Sequence, residues 1–463
     1  MSQTITELGT TFGGELLTPA DGTAYDERRT VFNAMFDRRP ALIARATSAA
    51  DVAAAIAHAR AHGLPIAVRG GGHSVAGYST VDDGVVIDLG AMRAVRVDPD
   101  RRRVRIQGGA TWGEVDSATQ QHGLATTGGR MTTTGVAGFT LGSGSGWLER
   151  CHGLACDNLV SAEVVLADGR VVTASATEHP DLFWGLKGGG GNFGVVTELE
   201  LRLHPVGPLV TAGMVMHPRD RAMEVCRFFR DYMREAPREV GGGVVFMHAP
   251  PAPFVPDELR GRPVVAIIAG HFGTVAEGAA ALAPVKAFGS PAVDLIGPMP
   301  YCDLQAITDG GNPPGRRNYW RSGLVDDLSD DAIDTLIACA TSVTSPASVV
   351  ILGPMGGAVA DVAGDATAIG GRDAPWLYHC YGIWTDPLED QRHIAWVRAT
   401  EAAMRPFTTD GIALNFVSDA KNDRVRRTFG PATYARLVAV KDAYDPHNVF
   451  RLNQNVPPSG VPA

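Results

Sequence analysis

The 463-residue sequence has no run of about eighteen apolar residues, the least that a membrane-crossing helix needs, so no membrane partner is expected. It also lacks a basic tract. Lys and Arg number 41 against 50 Asp and Glu, for a formal charge of −9. Proteins that bind nucleic acid carry a basic footprint, so that partner is not expected either. Cysteine is scarce: the six, at 151, 156, 226, 302, 339 and 380, are scattered rather than paired. Scattered free thiols suit a reducing compartment better than a disulfide framework. Cys151 and Cys156 form a C-x4-C without a second ligand pair, so no metal site is expected. Residues 1–7 show neither a charged n-region nor an apolar h-region, which points to the cytoplasm. No internal repeat or low-complexity tract stands out.

What is abundant is glycine, 55 residues in all, and two runs stand out. The first is Val68-Arg69-Gly70-Gly71-Gly72-His73-Ser74. The second extends from Gly128 to Gly146 and includes Thr132, Thr133 and Thr134. Bare backbone of this kind can press its N–H groups against phosphate, and neighbouring hydroxyls suit phosphate and ribose oxygens. A dinucleotide loop of the doubly wound type needs strand, glycines, then a helix. Here Ile66-Ala67-Val68 precedes the first run, and another strand, Val85-Val86-Ile87-Asp88-Leu89, follows it. The one literal G-x-G-x-x-G, at Gly189, Gly191 and Gly194, fails the same test. Val195, Thr197, Leu199, Leu201 and Leu203 alternate after it, with the period of a strand. A nicotinamide cofactor is therefore disfavoured.

Helices are predicted over 48–63, capped by Ser48 and stopped by Gly63, and over 111–122, ended by Gly123. Composition changes after Pro205. From there to about 410, strands at 243–247, 264–269, 349–352 and 376–384 alternate with helices near 218–235, 275–287, 328–343 and 387–405. That is a second unit of mixed α and β structure. Residues 313–320 read as a loop able to line a pocket or lie on the surface, and the Ala/Gly-rich 357–371 as a connector. A last helix carries Tyr434, Leu437, Val438 and Lys441.

Several motifs taken together resemble one family. They are Tyr25-Asp26-Glu27 to Asn33, the Arg69 to Ser74 loop, Gly153-Leu154-Ala155-Cys156-Asp157-Asn158-Leu159, Asp181-Leu182-Phe183-Trp184, Gly188 to Thr197, and Asp445-Pro446 to Asn455. This pattern, spread over most of the chain, is similar to the berberine bridge enzyme-like FAD-linked oxidases of the vanillyl-alcohol-oxidase type. The resemblance implies an α+β fold. A PCMH-type FAD-binding domain would be built from residues 1–205 and a returning segment, 411–463. A central substrate domain, 206–410, would carry a mainly antiparallel sheet backed by helices.

It further implies FAD bonded through its 8α-methyl to His73. The cofactor-binding residues would be Arg69, Gly70, Gly71, Gly72, His73, Ser74, Gly77, Gly129, Thr132, Thr133, Thr134, Gly135, Gly138, Gly142, Gly144, Asp157, Asn158, Gly194, Val195, Val196, Asn453 and Asn455. Two departures from the family pattern matter. Met131 stands where many relatives have a second flavin-linking cysteine, and a thioether cannot form that bond. Ala413 stands where relatives often carry a tyrosine that helps remove the substrate proton. Either the reaction needs no strong base or the 376–384 strand offers one. Along it Tyr378 shares a face with Trp376 and Cys380 while His379 and Tyr381 share the other, and core packing is the equal alternative for these aromatics. We take Tyr378 first, then Tyr381, with Asn415 as a further catalytic residue. Val136 resembles the oxidases at a position tied to oxygen access. The expected chemistry is hydride removal from a small-molecule substrate with dioxygen as acceptor. A dehydrogenase using another acceptor and a flavin-holding protein without turnover remain the alternatives.

Overall fold

The computed structural model describes residues 8–461 apart from 410, 412, 420 and 421. Its N-terminal part holds two small sheets. In the first, Leu42–Arg45 and Ile66–Arg69 flank Val85–Asp88 in parallel, and Glu15–Leu17 adds an antiparallel edge. The helix Ala49–Ala61 covers it with Val52, Ala55, Ile56 and Ala59, the face its spacing predicts. Ser48 caps that helix, accepting the Asp51 N–H at 3.2 Å.

The second sheet is antiparallel, in the order Val95–Asp98, Arg103–Gln107, Val195–Arg202, Leu159–Val165, Val171–Ser175. Val195–Arg202 is thus a central strand. It alternates buried Leu199 and Leu201 with half-buried Glu198 and Glu200, as the period-2 pattern requires. Leu414, Val417, Leu437, Val440 and Val456 pack into the same core as Val104, Ile106 and Leu199. The last helix, Asn422–Tyr444, breaks at Gly430 (φ 72°), just before Pro431. Only glycine takes that conformation without strain, and proline cannot continue the hydrogen-bond ladder.

Between these parts lies an eight-stranded antiparallel sheet. Its principal strands run in the order Leu209–Pro218, Pro263–His271, Val240–His248, Val349–Pro354, Trp376–Trp384, Arg317–Val325. The helices Ala222–Glu235, Val275–Ala287, Asp330–Thr341 and Asp390–Met404 bury one face through Val225, Phe229, Leu282, Leu336 and Trp396. The other face meets the N-terminal part, where Met214, Met216 and Ile268 pack with Trp147 and Leu148. The segment read as a loop, 313–320, is corrected here: Arg317 to Trp320 open the edge strand. Arg317, Asn318, Tyr319 and Trp320 pair with Trp384, Ile383, Gly382 and Tyr381. The preceding Pro313, Pro314 and Gly315 masked the start of the strand.

Buried polar ties join the parts, among them those of Asn33 and Lys441. Asn33 donates to the carbonyls of Val75 (2.9 Å) and Asn318 (2.8 Å) and accepts the Asn318 N–H at 2.9 Å. Lys441, fully buried, pairs with Asp445 at 2.7 Å and donates to the carbonyls of Asn192 (2.7 Å) and Phe450 (2.9 Å).

Candidate active site and cofactor cleft

The two glycine runs meet back to back. A Cβ on Gly71 would stand 2.5 Å from the Gly135 Cα, and one on Gly135 would stand 2.3 Å from the Gly71 nitrogen. Neither backbone can retreat, so both positions demand glycine. Gly71→Ala is therefore expected to cost on the order of 1–3 kcal/mol or more by overpacking. Flavin content should fall with it, as read by denaturant unfolding and visible absorbance.

The joined runs form one wall of a cavity of about 280 Å³. Gly70, Gly71, Gly72, His73, Ser74, Gly129, Thr134, Gly135, Gly138, Gly142, Gly194, Val196 and Asn453 all line it. Apolar Ile66, Val68, Leu89, Phe450 and Leu452 contribute, and the central sheet adds Trp320 and Tyr381. Asn415 and Phe416 come from the returning segment; Asn415 donates to the Phe139 carbonyl at 2.9 Å.

Other predicted residues lie outside this cavity, each with work of its own. Arg69 turns its guanidinium to the carbonyls of Arg28 and Thr30. Gly77 (φ 73°) faces the Phe36 ring, and Gly144 (φ 82°) packs on Ala155 and Phe139. Thr132 gives its N–H and hydroxyl to Asp309, and with Thr133 borders a separate open groove. Asp157 is ion-paired with buried Arg372 at 2.7 Å. Asn158 donates to the carbonyls of His152 and Leu154 and faces His204 Nε2 at 2.7 Å. Val195 packs with Val85 and Ile87 in the core, and Asn455 is absent from the cavity wall.

Strand alternation holds along Trp376–Trp384, but the face assigned to the site does not. Tyr378 lies with Trp376 and Cys380 among the helix-covered core residues, so it is withdrawn as a proton acceptor. Tyr381 is on the cavity side. It sits at 4.5 Å from the Trp320 ring and 3.7 Å from His379, which stacks at 4.3 Å on Phe416. Sequence reasoning put Trp320 only in a loop able to line a pocket and singled out neither Phe416 nor Arg130. The first two carry an available signal, an aromatic on a strand and an aromatic beside Asn415. Arg130 carries none, because only folding brings Ser145 and Glu149 to its guanidinium at 3.1 Å.

Burial sets the electrostatics. His73 stacks on Phe32 (3.6 Å, 18°), its Nε2 is buried without a partner among the described residues, and burial pulls its pKa down to about 4. The imidazole is neutral at neutral pH. Burial drives the Tyr381 hydroxyl up from the ordinary phenol range, opposed by the charge of Arg130. His379, buried with Nε2 unpartnered, is held well below the usual imidazole value. Burial also pushes Cys151 up to about 12 and Cys156 well above its ordinary value, and neither lines the cavity. No cluster of metal ligands occurs among the described residues.

A glycine cradle, an apolar channel and orphaned atoms on His73 and Asn453 fit a bound dinucleotide. Comparison with known proteins agrees. Residues 40–175 match a family described as FAD binding domain, and 413–457 one described as berberine and berberine like. An uncharacterized FAD-linked oxidoreductase of Bacillus subtilis, YgaK, is 31% identical over 95% of this chain and 96% of its own. The (R)-6-hydroxynicotine oxidase of Paenarthrobacter nicotinovorans is 30% identical over 96% and 97%. The chain belongs to the berberine bridge enzyme-like family of FAD-linked oxidoreductases.

Solved structures place the fold of this FAD-linked oxidoreductase in the same group. That of 6-hydroxy-D-nicotine oxidase from Arthrobacter nicotinovorans superposes with a TM-score of 0.86 at 29% identity, covering 96% of this chain and 98% of the other. Glucooligosaccharide oxidase from Acremonium strictum gives 0.86 at 26% identity, covering 98% of each. No helix among the described residues is long and apolar enough to cross a membrane.

Proposed function

We propose that this FAD-linked oxidoreductase is an oxidase whose flavin is bonded once to the protein, through His73. It would act on a small alcohol, amine or natural-product intermediate. Bound FAD supplies the hydride acceptor, and dioxygen then takes the electrons to give hydrogen peroxide. The observation that carries the reading is His73, a neutral, desolvated imidazole at a glycine tip, with a free ring nitrogen beside the cofactor cleft. Such a group is a competent nucleophile toward an activated methyl carbon. Met131, on the cavity wall, offers no second bond.

The remaining residues would bind and orient. The glycine runs present N–H groups to the phosphates, and Gly194, Val196 and Asn453 close the cleft from the other side. Trp320, Tyr381 and Phe416 provide flat apolar walls for a substrate, with the Tyr381 hydroxyl as the proton acceptor and Asn415 as a hydrogen-bonding partner. The charge of Arg130 favours that role and only partly offsets the burial that holds the phenol protonated. The oxidase names of the two superposed relatives, and Val136 at the head of the helix Val136–Leu141, favour dioxygen as acceptor.

Oxygen uptake with peroxide formation, set against anaerobic bleaching by the same substrate panel, tests the reading. Bleaching without oxygen uptake would mark a dehydrogenase. No bleaching by any compound would favour a flavin-holding protein, the reading that draws on Ala413 in place of a base. With a bleaching substrate in hand, Tyr381→Phe should slow reduction by about 10²–10⁴-fold. Tyr378→Phe should leave the rate within a factor of about two and alter stability instead, since its hydroxyl is in the core.

A further inference from the structure

The turn that ends the strand Leu209–Pro218 holds a cation with no counter-charge among the described residues. Arg219 opens the turn Arg219–Arg221, and its guanidinium lies over the Phe246 ring, 4.9 Å from the centroid. Stacking engages the face of the guanidinium. Its N–H bonds lie in the plane and need acceptors of their own. Nε and Nη2 of Arg219 are buried, with no hydrogen-bond partner among the described residues. No carboxylate among them pairs with it, whereas Arg221, two positions on, holds Glu224 at 2.6 Å.

Beside this guanidinium is a space of about 10 Å³, bordered by Arg219, His248 and Ser348 and by apolar Phe246, Ala340 and Val343. That volume admits the centre of about one water-sized sphere. His248 Nδ1 is buried without a partner. The Ser348 hydroxyl is already engaged, donating to the Ile383 carbonyl at 3.3 Å and accepting its N–H at 2.9 Å. The space is therefore walled by a guanidinium and an imidazole, with no carboxylate among its lining residues.

We propose that this pocket is a halide site. It would take one monatomic anion, chloride under physiological conditions, held by the in-plane N–H groups of Arg219 and by the Nδ1–H tautomer of His248. A water molecule could accept from Arg219 and donate to His248 Nδ1, but only an anion also supplies the counter-charge that the guanidinium lacks among the described residues. A monatomic ion is the smallest anion that could enter so small a space, and phosphate or a carboxylate would fit it least. The site lies on the helix-covered side of the sheet, where Phe246 and Val350 belong to the core. It does not depend on the flavin reading.

Bromide is the direct probe, since it replaces chloride and scatters anomalously. Crystals of the full chain in sodium bromide should show an anomalous peak within hydrogen-bonding reach of Arg219 Nε and Nη2. An ordered water there without a bromide signal would overturn the assignment. In solution, unfolding temperatures are compared in sodium chloride and sodium gluconate at equal ionic strength. The natural protein should show an upward shift that saturates with chloride. The shift should vanish in Arg219→Met, and also in Ala340→Leu, which keeps the guanidinium and fills the space. A shift of equal size in all three proteins would likewise refute the site. If Arg219→Met does not fold, the bromide peak and Ala340→Leu still decide.

Discussion

His73→Ala is expected to release all of the flavin on acid precipitation, leaving a colourless pellet where the natural protein gives a yellow one. The single-attachment reading requires this, because Met131 cannot form a second bond and Cys151 and Cys156 do not line the cavity. Both cysteine thiols are also held in the protonated form by burial, which makes them poor nucleophiles. The fold itself should survive. Alanine removes a ring whose Nε2 has no partner and gives up the stacking on Phe32, worth about 0.5–1.5 kcal/mol. The variant should still bind FAD reversibly through the glycine cradle, so added FAD should restore the visible spectrum without restoring the acid-stable colour. Full retention of pellet colour in His73→Ala would move the attachment elsewhere; a colourless pellet from the natural protein would remove it altogether.

The second large effect is expected at the buried ion pair under the returning segment. Lys441 and Asp445 are both fully buried and 2.7 Å apart. The Asp445 carboxylate also accepts the N–H groups of Val449 (2.8 Å) and Phe450 (2.9 Å). Asp445→Ala would strand the ammonium and free both N–H groups, at a cost of about 3–5 kcal/mol. Lys441→Met should be milder, because the carboxylate keeps its two backbone donors. Replacing both partners with apolar residues should recover part of the loss. The same variants should load flavin poorly. Lys441 ties Asn192 to Phe450, Asn192 accepts the Val456 N–H at 2.9 Å, and Phe450, Leu452 and Asn453 lie on the cavity wall. Denaturant midpoints and flavin-to-protein absorbance ratios measure the two effects separately. Equal stability of Asp445→Ala and the natural protein would show that this pair does not anchor the segment.

Much of the site could be read before folding, and the failures share a cause. The glycines that line the cleft were legible because bare backbone repeated at close spacing has few other uses. Thr132, Thr133, Asp157 and Asn158 looked equally suited to a cofactor, since polar side chains beside glycines are what a phosphate site needs. Distant partners claimed three of them: Asp309 holds Thr132, Arg372 pairs with Asp157, and His204 meets Asn158. A hydrogen-bonding group in a sequence announces its capacity, and only the neighbours brought by the fold decide how that capacity is used.

The two tyrosines show where the division falls. By itself, the sequence established that Trp376–Trp384 is a strand with Tyr378 on one side and Tyr381 on the other, since side chains alternate with a period of two. It also indicated the strand after Gly194, and with it the case against a doubly wound nucleotide fold. Which side of the sheet faces the cleft was decided only in three dimensions. Both faces are buried, one under four helices and one against the N-terminal part, so hydrophobicity marks neither as the functional side. The same holds for Arg130, whose charge reaches Tyr381 from a position held by Ser145 and Glu149. Local periodicity is a property of consecutive residues; the choice of partner belongs to the packed whole.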